Sequence, residues 1–354
     1  MKTIKILAVL LILIGQTGFA QKTDYKERIN LIRKNIQTVF YEPESGLYFE
    51  KDQVKARERK YSFLWPLCAL MDGANEVDVL KLGTPYLPGV MKAIERYDAK
   101  DEAIPGYRSY LADAGRDSRF YDDNQWLGIT AAENYVRTKD KRYLELAKKI
   151  YLFMMSGYDE KAGGGLYWQE DKKDTKNTCS NGPGVLVALK LYQITKEKKY
   201  LDTAVLLYNW TKKNLQDTDG LYFDNVRIPS LEVDKRKYTY NTGTMINSAA
   251  ILYQLTKDKT YLEEARHVAA AGKAFFYKDG KLPGHYWFNV VMLRGYLELH
   301  KIDKNPAHLD FFIKDAERVW NTERDSNGLI GRQKVKSLID QAAMLEFYAR
   351  LAQL

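Results

Sequence analysis

The sequence predicts an all-α fold, an (α/α)6 toroid in which six helical hairpins close into a ring. The first supporting observation is a hinge, Thr-Lys-Asp/Glu-Lys-X-Tyr-Leu, which recurs at residues 138–144, 195–201 and 256–262, with offsets of 57 and 61 residues. Apolar residues at helical spacing stand on both sides of each copy. Each hinge is therefore expected to join two consecutive helices into a hairpin.

The number of helices favours the same fold. Counting segments with helical periodicity gives about twelve helices, enough for six hairpins. They are predicted to start near Lys26, Ser62, Tyr86, Asn124, Lys141, Pro183, Lys198, Gly243, Lys259, Phe288, Ala307 and Ser337. An open solenoid of such hairpins would need polar capping repeats at its ends, which ring closure avoids. An open helical-repeat binding protein remains the alternative architecture.

A loop signature marks the other ends of the hairpins. Gly-Leu followed by Tyr or Ile occurs at residues 46–49, 165–168, 220–223 and 328–330, after residues typical of turns. Short hinges at one end and long loops at the other would gather the loops on one face. We expect these loops to surround a central cleft floored by the ends of the inner helices.

The first twenty residues are typical of a secretory signal. Residues 1–5 are basic, residues 6–14 are almost wholly apolar, and Gly18 and Ala20 supply small residues before a cleavage site expected after Ala20. The apolar run is shorter than the ~20 residues of a spanning helix. We therefore expect a periplasmic or extracellular protein with no membrane span after signal removal. No linker divides residues 21–354, which are predicted to form a single toroid domain and a monomer.

Composition excludes several classes of function. The net charge is +9, but basic and acidic residues are interspersed and no long basic tract is present, so nucleic acid is not an expected partner. The four histidines have no metal-ligand spacing, and zinc-hydrolase, serine-hydrolase and phosphate-loop motifs do not occur. Neither a metal nor another cofactor is expected. Cys68 and Cys179 could form a disulfide or remain buried thiols.

Two adjacent carboxylates, Asp122 and Asp123, lie between aromatic residues in the segment 119–127. Neighbouring residues can hold their carboxyl groups near the ~5 Å separation of a retaining glycosidase. One carboxylate would attack the anomeric carbon and the other would protonate the leaving oxygen, with burial and like charge raising the pKa of the acid. The alternative is structural, since Asp122 with Gln125 matches a capping box and Asp123 would favour the helix dipole.

Polar and aromatic segments also precede other inner helices. A ring of amides, hydroxyls and aromatic faces suits a sugar, although each segment alone could serve capping and loop packing. The candidate substrate-binding residues are Trp65, Asn124, Trp126, Lys176, Asn177, Ser180, Asn181, Asp224, Asn225, Tyr240, Asn241 and Phe288.

The Tyr-Asp-Asp-Asn-Gln-Trp segment at residues 121–126 resembles the paired-aspartate signature of glycoside hydrolase family 76, the endo-α-1,6-mannanases. The resemblance covers nearly all of the mature chain. Its other motifs, in order, are Gly-Gly-Gly-Leu-Tyr-Trp at 163–168, Lys-Asn-Thr-Cys-Ser-Asn at 176–181, Asp-Gly-Leu-Tyr-Phe-Asp-Asn at 219–225, Tyr240-Asn241 with Gly243-Thr244, and Phe288-Asn289 with Arg294.

This resemblance implies an (α/α)6 fold, an α-mannan polysaccharide or oligosaccharide substrate, retention of configuration and no obligatory cofactor. It also implies that Asp122 is the nucleophile and Asp123 the general acid/base. Two other functions stay open. The chain could be another α-glycan hydrolase or a transglycosylase on the same fold, or it could be a non-catalytic glycan-binding protein.

Overall fold

Twelve α-helices form two layers in the computed structural model, which describes residues 24–56 and 58–354. The inner helices are α2 (Leu64–Val79), α4 (Tyr121–Thr138), α6 (Thr178–Thr195), α8 (Thr239–Thr256), α10 (Tyr286–Asp303) and α12 (Leu338–Leu351). The outer helices are α1 (Tyr25–Asn35), α3 (Leu87–Ile94), α5 (Lys141–Met155), α7 (Lys198–Leu215), α9 (Lys259–Phe276) and α11 (Asp310–Thr322). The predicted signal peptide, residues 1–20, lies outside the described residues.

The inner helices form a closed ring. Each packs against the next, and α12 packs against α2, so the predicted (α/α)6 toroid is confirmed and the open solenoid is wrong. One prediction needs correction, because the sixth pair is not a hairpin. It forms where α1 packs against α12, so the two ends of the helical region complete the ring together.

The burial of the two layers follows from their sequences. An inner helix is covered on all sides, and α6 accordingly buries every residue from 178 to 189. An outer helix buries one stripe only, and in α5 that stripe is Ala147, Ile150, Phe153 and Met154. Helices that are apolar all round belong inside, whereas a single apolar stripe is typical of a surface helix.

The recurring hinges end the inner helices and start the outer ones. The Thr138 hydroxyl donates to the Asn134 carbonyl at 2.8 Å, and Lys139 then adopts a left-handed backbone with φ of 61°. The Asp140 side chain accepts from the backbone N–H of Arg142 at 3.0 Å, which caps α5. Residues 256–260 repeat all of these features. The predicted hinge is therefore confirmed, with a capping residue built into it.

Four inner helices begin earlier than predicted. The starts near Asn124, Pro183, Gly243 and Phe288 move to Tyr121, Thr178, Thr239 and Tyr286. In α4, α6 and α8 the physical reason is that the first turn carries polar side chains, so the apolar periodicity begins about one turn after the helix does. The first turn of α10 is mostly aromatic, and its start differs by only two residues. Residues expected to precede these helices therefore lie within their first turns.

Five short strands lie among the connections. Strands β1 (Tyr41–Glu42) and β2 (Leu47–Tyr48) form an antiparallel pair. Strands β3 (Thr175–Asn177), β4 (Phe223–Arg227) and β5 (Val233–Lys237) form an antiparallel sheet in the order β3-β4-β5. Because β3 leads directly into α6, this sheet stands beside the N-terminal ends of the inner helices. No helix within residues 24–56 and 58–354 combines the length and apolarity needed to cross a membrane.

A buried charge network ties the inner helices together. Arg294 of α10 donates to Asp72 of α2 at 2.6 Å and to both carboxylate oxygens of Glu346 of α12, at 2.7 and 2.6 Å. The Thr130 hydroxyl of α4 donates to Asp72 as well. Burial raises the pKa of Asp72 to about 7, although Arg294 lowers it. Four of the six inner helices thus share one set of ionic hydrogen bonds.

Candidate active site

A cleft of about 1270 Å³ opens at the N-terminal ends of the inner helices. The same position of five inner helices, the second residue, lies at its floor. These residues are Trp65, Asp122, Cys179, Tyr240 and Trp287. The repeated hairpins therefore place one side chain each at the centre of the ring, and the α4 repeat places a carboxylate there.

The paired aspartates lie in the first turn of α4 and both line the cleft. Oδ2 of Asp122 accepts a hydrogen bond from Nε1 of Trp168 at 3.1 Å. The N-cap position is occupied by Phe120, which has an extended backbone and makes no side-chain capping bond. The capping-box interpretation of Asp122 and Gln125 is therefore wrong, and neither aspartate caps α4.

The surroundings of the two carboxyls separate their proton affinities. Burial raises the pKa of Asp122 to about 6, while the Cys179 thiol, the Trp168 indole and backbone amides lower it. Burial and the neighbouring charge of Asp122 raise the pKa of Asp123 well above its usual value. Such a pair titrates as a unit. Over a range of pH, Asp122 is ionised while Asp123 keeps a proton, which suits a nucleophile beside an acid.

Aromatic rings form one wall of the cleft. Phe288 and Tyr240 line the cleft and contact each other, with ring centroids 4.2 Å apart. His285 stacks on Phe288 from behind the lining residues, at 3.7 Å. Trp65 stacks on the other side of His285 at 5.9 Å. Burial lowers the pKa of His285 to about 4, so this ring is neutral near pH 7. A neutral aromatic surface can cover the C–H face of a sugar.

Polar side chains of the β-sheet form the other wall. Oδ2 of Asp224 accepts from Nδ2 of Asn225 at 3.0 Å, and Arg236 of β5 lies 3.6 Å from the same carboxylate. Burial raises the pKa of Asp224 above its usual value. Asn177, at the end of β3, lines the cleft beside them. This wall offers carboxylate and amide groups that can bind sugar hydroxyls.

The structure brings together nine of the fourteen residues proposed from the sequence. Those that line the cleft are Trp65, Asp122, Asp123, Trp126, Asn177, Asp224, Asn225, Tyr240 and Phe288. Those that do not line it are Asn124, Lys176, Ser180, Asn181 and Asn241.

Asn124 and Asn181 occupy the fourth position of their helices, where the side chain meets a loop. Oδ1 of Asn124 accepts from the Tyr107 N–H at 2.7 Å, and its Nδ2 donates to the carbonyls of Tyr107 and Phe120. Asn181 holds the backbone of Leu166 in the same way. Neither side chain lines the cleft, since both amides hold loops around it, and their contact with substrate stays a prediction.

Lys176 is also fully buried outside the cleft. Its Nζ donates to the carbonyls of Asp159, Lys161 and Gly164 and to the Asp159 carboxylate, at 2.7 to 2.8 Å. The ammonium group is fully engaged by the loop, and the contact of Lys176 with substrate stays a prediction.

Ser180 and Asn241 are likewise fully buried. Both follow a cleft residue by one position, but neither reaches the cleft. Their contact with substrate stays a prediction.

Sequence reasoning missed several residues of the cleft. Trp168 and Cys179 both lie within motifs of the family resemblance, but neither is among the candidate substrate-binding residues. Both cysteines are buried and unpaired. Arg59 and Arg236 also line the cleft, from segments without a sequence signal. No group of three His, Cys, Asp or Glu residues in the described part of the chain is placed to hold a metal ion.

The loop-holding role of Asn124 predicts a stability effect. Asn124→Ala would leave the backbone N–H and carbonyl of Tyr107 without partners, and we expect the free energy of unfolding to fall by about 2–4 kcal/mol. Urea denaturation followed by circular dichroism measures this loss. Asn177→Ala is the matched control, because Asn177 lines the cleft and its Oδ1 has no protein partner. If Asn124→Ala instead raised KM and left stability unchanged, the result would support the predicted contact of Asn124 with substrate.

A family profile and a curated relative match this chain. The profile described as glycosyl hydrolase family 76 matches residues 21–300. Mannan endo-1,6-alpha-mannosidase DCW1 of Saccharomyces cerevisiae is 31% identical over 175 residues, which are 45% of this chain and 39% of that protein. The chain spans about two fifths of the length of the curated relatives it matches.

Two solved structures share the fold. The GH76 alpha-mannanase BT2949 of Bacteroides thetaiotaomicron is 28% identical, with a TM-score of 0.87, over 94% of this chain and 96% of that one. An inactive variant of the alpha-1,6-mannanase GH76A of Salegentibacter sp. HEL1_6, in complex with alpha-1,6-mannotriose, is 24% identical. Its TM-score is 0.81, over 93% of this chain and 99% of that one, and at this identity the likeness establishes the fold alone.

Proposed function

The chain belongs to glycosyl hydrolase family 76, and from this we propose that it is a retaining enzyme that cleaves α-1,6-mannosidic bonds within mannan. The observation that carries the proposal is the adjacent carboxylate pair, Asp122 and Asp123, at the floor of the cleft. DCW1 is named as a mannan endo-1,6-alpha-mannosidase and BT2949 as an alpha-mannanase, and both names support the choice of substrate.

The reaction proceeds in two displacements. Asp122 attacks the anomeric carbon while Asp123 gives its proton to the leaving glycosidic oxygen, which releases one part of the chain. The resulting glycosyl ester on Asp122 is then hydrolysed, as Asp123 takes a proton from the water that attacks the anomeric carbon. Asp123 ends protonated and Asp122 ends ionised, so both residues return to their starting states with the configuration retained.

The cleft supports action on a polymer. Its volume of about 1270 Å³ exceeds the ~300–1,000 Å³ of a typical small-molecule pocket. Aromatic rings on one side and polar side chains on the other can contact several sugar units on both sides of the pair. We therefore favour cleavage inside the mannan chain over removal of terminal sugars.

The remaining parts of the proposal concern the whole protein. Residues 1–20 would act as a secretory signal, and residues 21–354 would form one catalytic domain. The mature enzyme would then work as a monomer in the periplasm or outside the cell.

The test is the release of reducing ends from unbranched α-1,6-mannan, with the products resolved by chromatography over time. A hydrolase acting inside the chain gives a mixture of oligosaccharides early in the reaction. A transglycosylase would give products longer than the starting oligosaccharide at high substrate concentration. Binding without new reducing ends would overturn the proposal in favour of a glycan-binding protein.

A further inference from the structure

The two carboxylates of the pair differ in the hydrogen bonds that they receive. The indole Nε1 of Trp168 donates to Oδ2 of Asp122. Within the described residues, no side chain forms such a bond with the carboxylate of Asp123. A hydrogen bond to an ionised carboxylate stabilises the charged form. The Trp168 indole is therefore placed to distinguish Asp122 from Asp123, two adjacent residues with identical side chains.

Trp168 is itself held by three contacts, two with the start of α4 and one with β3. Its carbonyl accepts from the backbone N–H of Tyr121 at 2.9 Å, and its backbone N–H donates to the carbonyl of Thr175 at 3.2 Å. Its ring lies against Phe120, with centroids 4.9 Å apart. Two of these contacts are with residues directly before Asp122. The indole N–H is thus held in register with the carboxylate, and its aim does not depend on a bound substrate.

Other titratable groups also face Asp122. They are Asp123 on its own helix, Cys68 on α2, Cys179 on α6 and Tyr240 on α8, while Asp224 on β4 faces Cys179 and Tyr240. The carboxylates among them disfavour a second negative charge, and none of these groups carries a positive charge. The Cys179 thiol and the Trp168 indole both lower the pKa of Asp122, and the indole donates to it at 3.1 Å. These neutral donors therefore help to keep Asp122 ionised.

We propose that Trp168 is a positioning residue that selects Asp122 as the nucleophile, by donating its indole N–H to that carboxylate and not to Asp123. The proposal rests on the proposed function. Trp168 engages Oδ2 of Asp122 and leaves Oδ1 without a protein partner. Asp123, without a comparable donor, retains the proton that it must deliver.

The decisive variant is Trp168→Phe, which keeps an aromatic face but removes the N–H. The ionised form of Asp122 loses a donor, so its pKa should rise. The acidic limb of the kcat/KM profile should then move to higher pH by about one unit. We expect kcat/KM at the optimum to fall roughly ten- to a hundred-fold, with a smaller change in KM.

The matched control is Trp287→Phe. Trp287 lines the same cleft, but its Nε1 is buried without a partner, so this change should not move the acidic limb. A loss of activity in Trp168→Phe with an unmoved acidic limb would overturn the proposal and assign a packing role. A rise in KM alone would also overturn it and assign the ring to sugar binding.

A second measurement does not depend on the substrate. In protein labelled with ¹³C at the aspartate carboxyls, the Asp122 signal is assigned by its loss in Asp122→Asn and then titrated. A higher apparent pKa in Trp168→Phe than in the wild type supports the proposal, and an equal pKa overturns it. If the wild type does not cleave α-mannan, the proposed function fails, but this titration still decides the role of Trp168.

Discussion

Asp122→Asn should lower kcat on α-1,6-mannan by at least about 10⁴-fold, because the amide cannot form the glycosyl ester. Circular dichroism and thermal unfolding should remain close to the wild type, since Asp122 caps no helix. Initial rates of reducing-sugar release measure the effect. Asp340→Asn is the matched control, because Asp340 occupies the first turn of α12 but does not line the cleft.

Asp123→Ala completes the test of the pair. Loss of the general acid should slow cleavage of mannan by about 10²–10⁴-fold. A substrate with an activated leaving group, which needs no protonation, should be cleaved in the first step almost as fast as by the wild type. Equal losses of rate with both substrates would contradict the assigned roles. They would indicate that Asp123 is the nucleophile and Asp122 the general acid. Normal mannan turnover in either variant would remove the pair from catalysis altogether.

Arg294→Met should cause a large loss of stability. The variant would leave Asp72 without its ionic partner and would deprive Glu346 of two hydrogen bonds, at positions buried among four inner helices. Removing one partner of a buried ion pair typically costs about 3–5 kcal/mol. Urea unfolding at pH 7 measures the loss. Arg137→Met is the control, because Arg137 is about a third exposed and its ion pair with Asp78 is long, at 3.9 Å.

The pH dependence of the same variant tests the cause. Burial already raises the folded-state pKa of Asp72 to about 7. Without Arg294 it should rise further, and the pKa of Glu346, which Arg294 lowers, should rise as well. A raised carboxyl pKa costs stability above the unfolded pKa, and this cost is relieved as pH falls. The gap between the unfolding free energies of variant and wild type should therefore narrow as pH falls. For Asp72 this occurs mainly above about pH 7, where the wild-type carboxyl is still ionised, and for Glu346 it continues below that pH. A gap that stays constant would indicate lost packing of the arginine side chain instead of stranded charge.

The sequence alone predicted the ring because its main signals are local and repeated. The hinge at residues 138–144 contains the end of one helix, a left-handed residue and the cap of the next helix, so its meaning does not depend on distant contacts. The carboxylate pair was also found from the sequence, since two adjacent charges between aromatic residues are unusual for a solvated surface. Neither the hinge nor the carboxylate pair required knowledge of the tertiary contacts around it.

The remaining cleft residues could not be assigned because side-chain direction depends on register. Asp122 and Asn124 are two residues apart, yet the first lines the cleft and the second holds a loop, since two steps along an α-helix turn the side chain by about 200°. Predicting the start of α4 three residues late concealed this difference. Arg236 and Trp168 come from connections whose positions are set by tertiary contacts, which no local pattern reveals.

The pairing of α1 with α12 also bears on how the molecule unfolds. Tyr25 stacks on Tyr348, and Arg28 forms an ion pair with Glu317 nearly three hundred residues away. Modules stacked in an open row can separate one at a time from either end, because each depends only on its neighbours. A ring has no terminal module, so losing any helix pair exposes two interfaces at once. Unfolding should therefore be all-or-none. Folding should be completed only when the last helix packs, because contacts between residues so far apart in sequence form slowly.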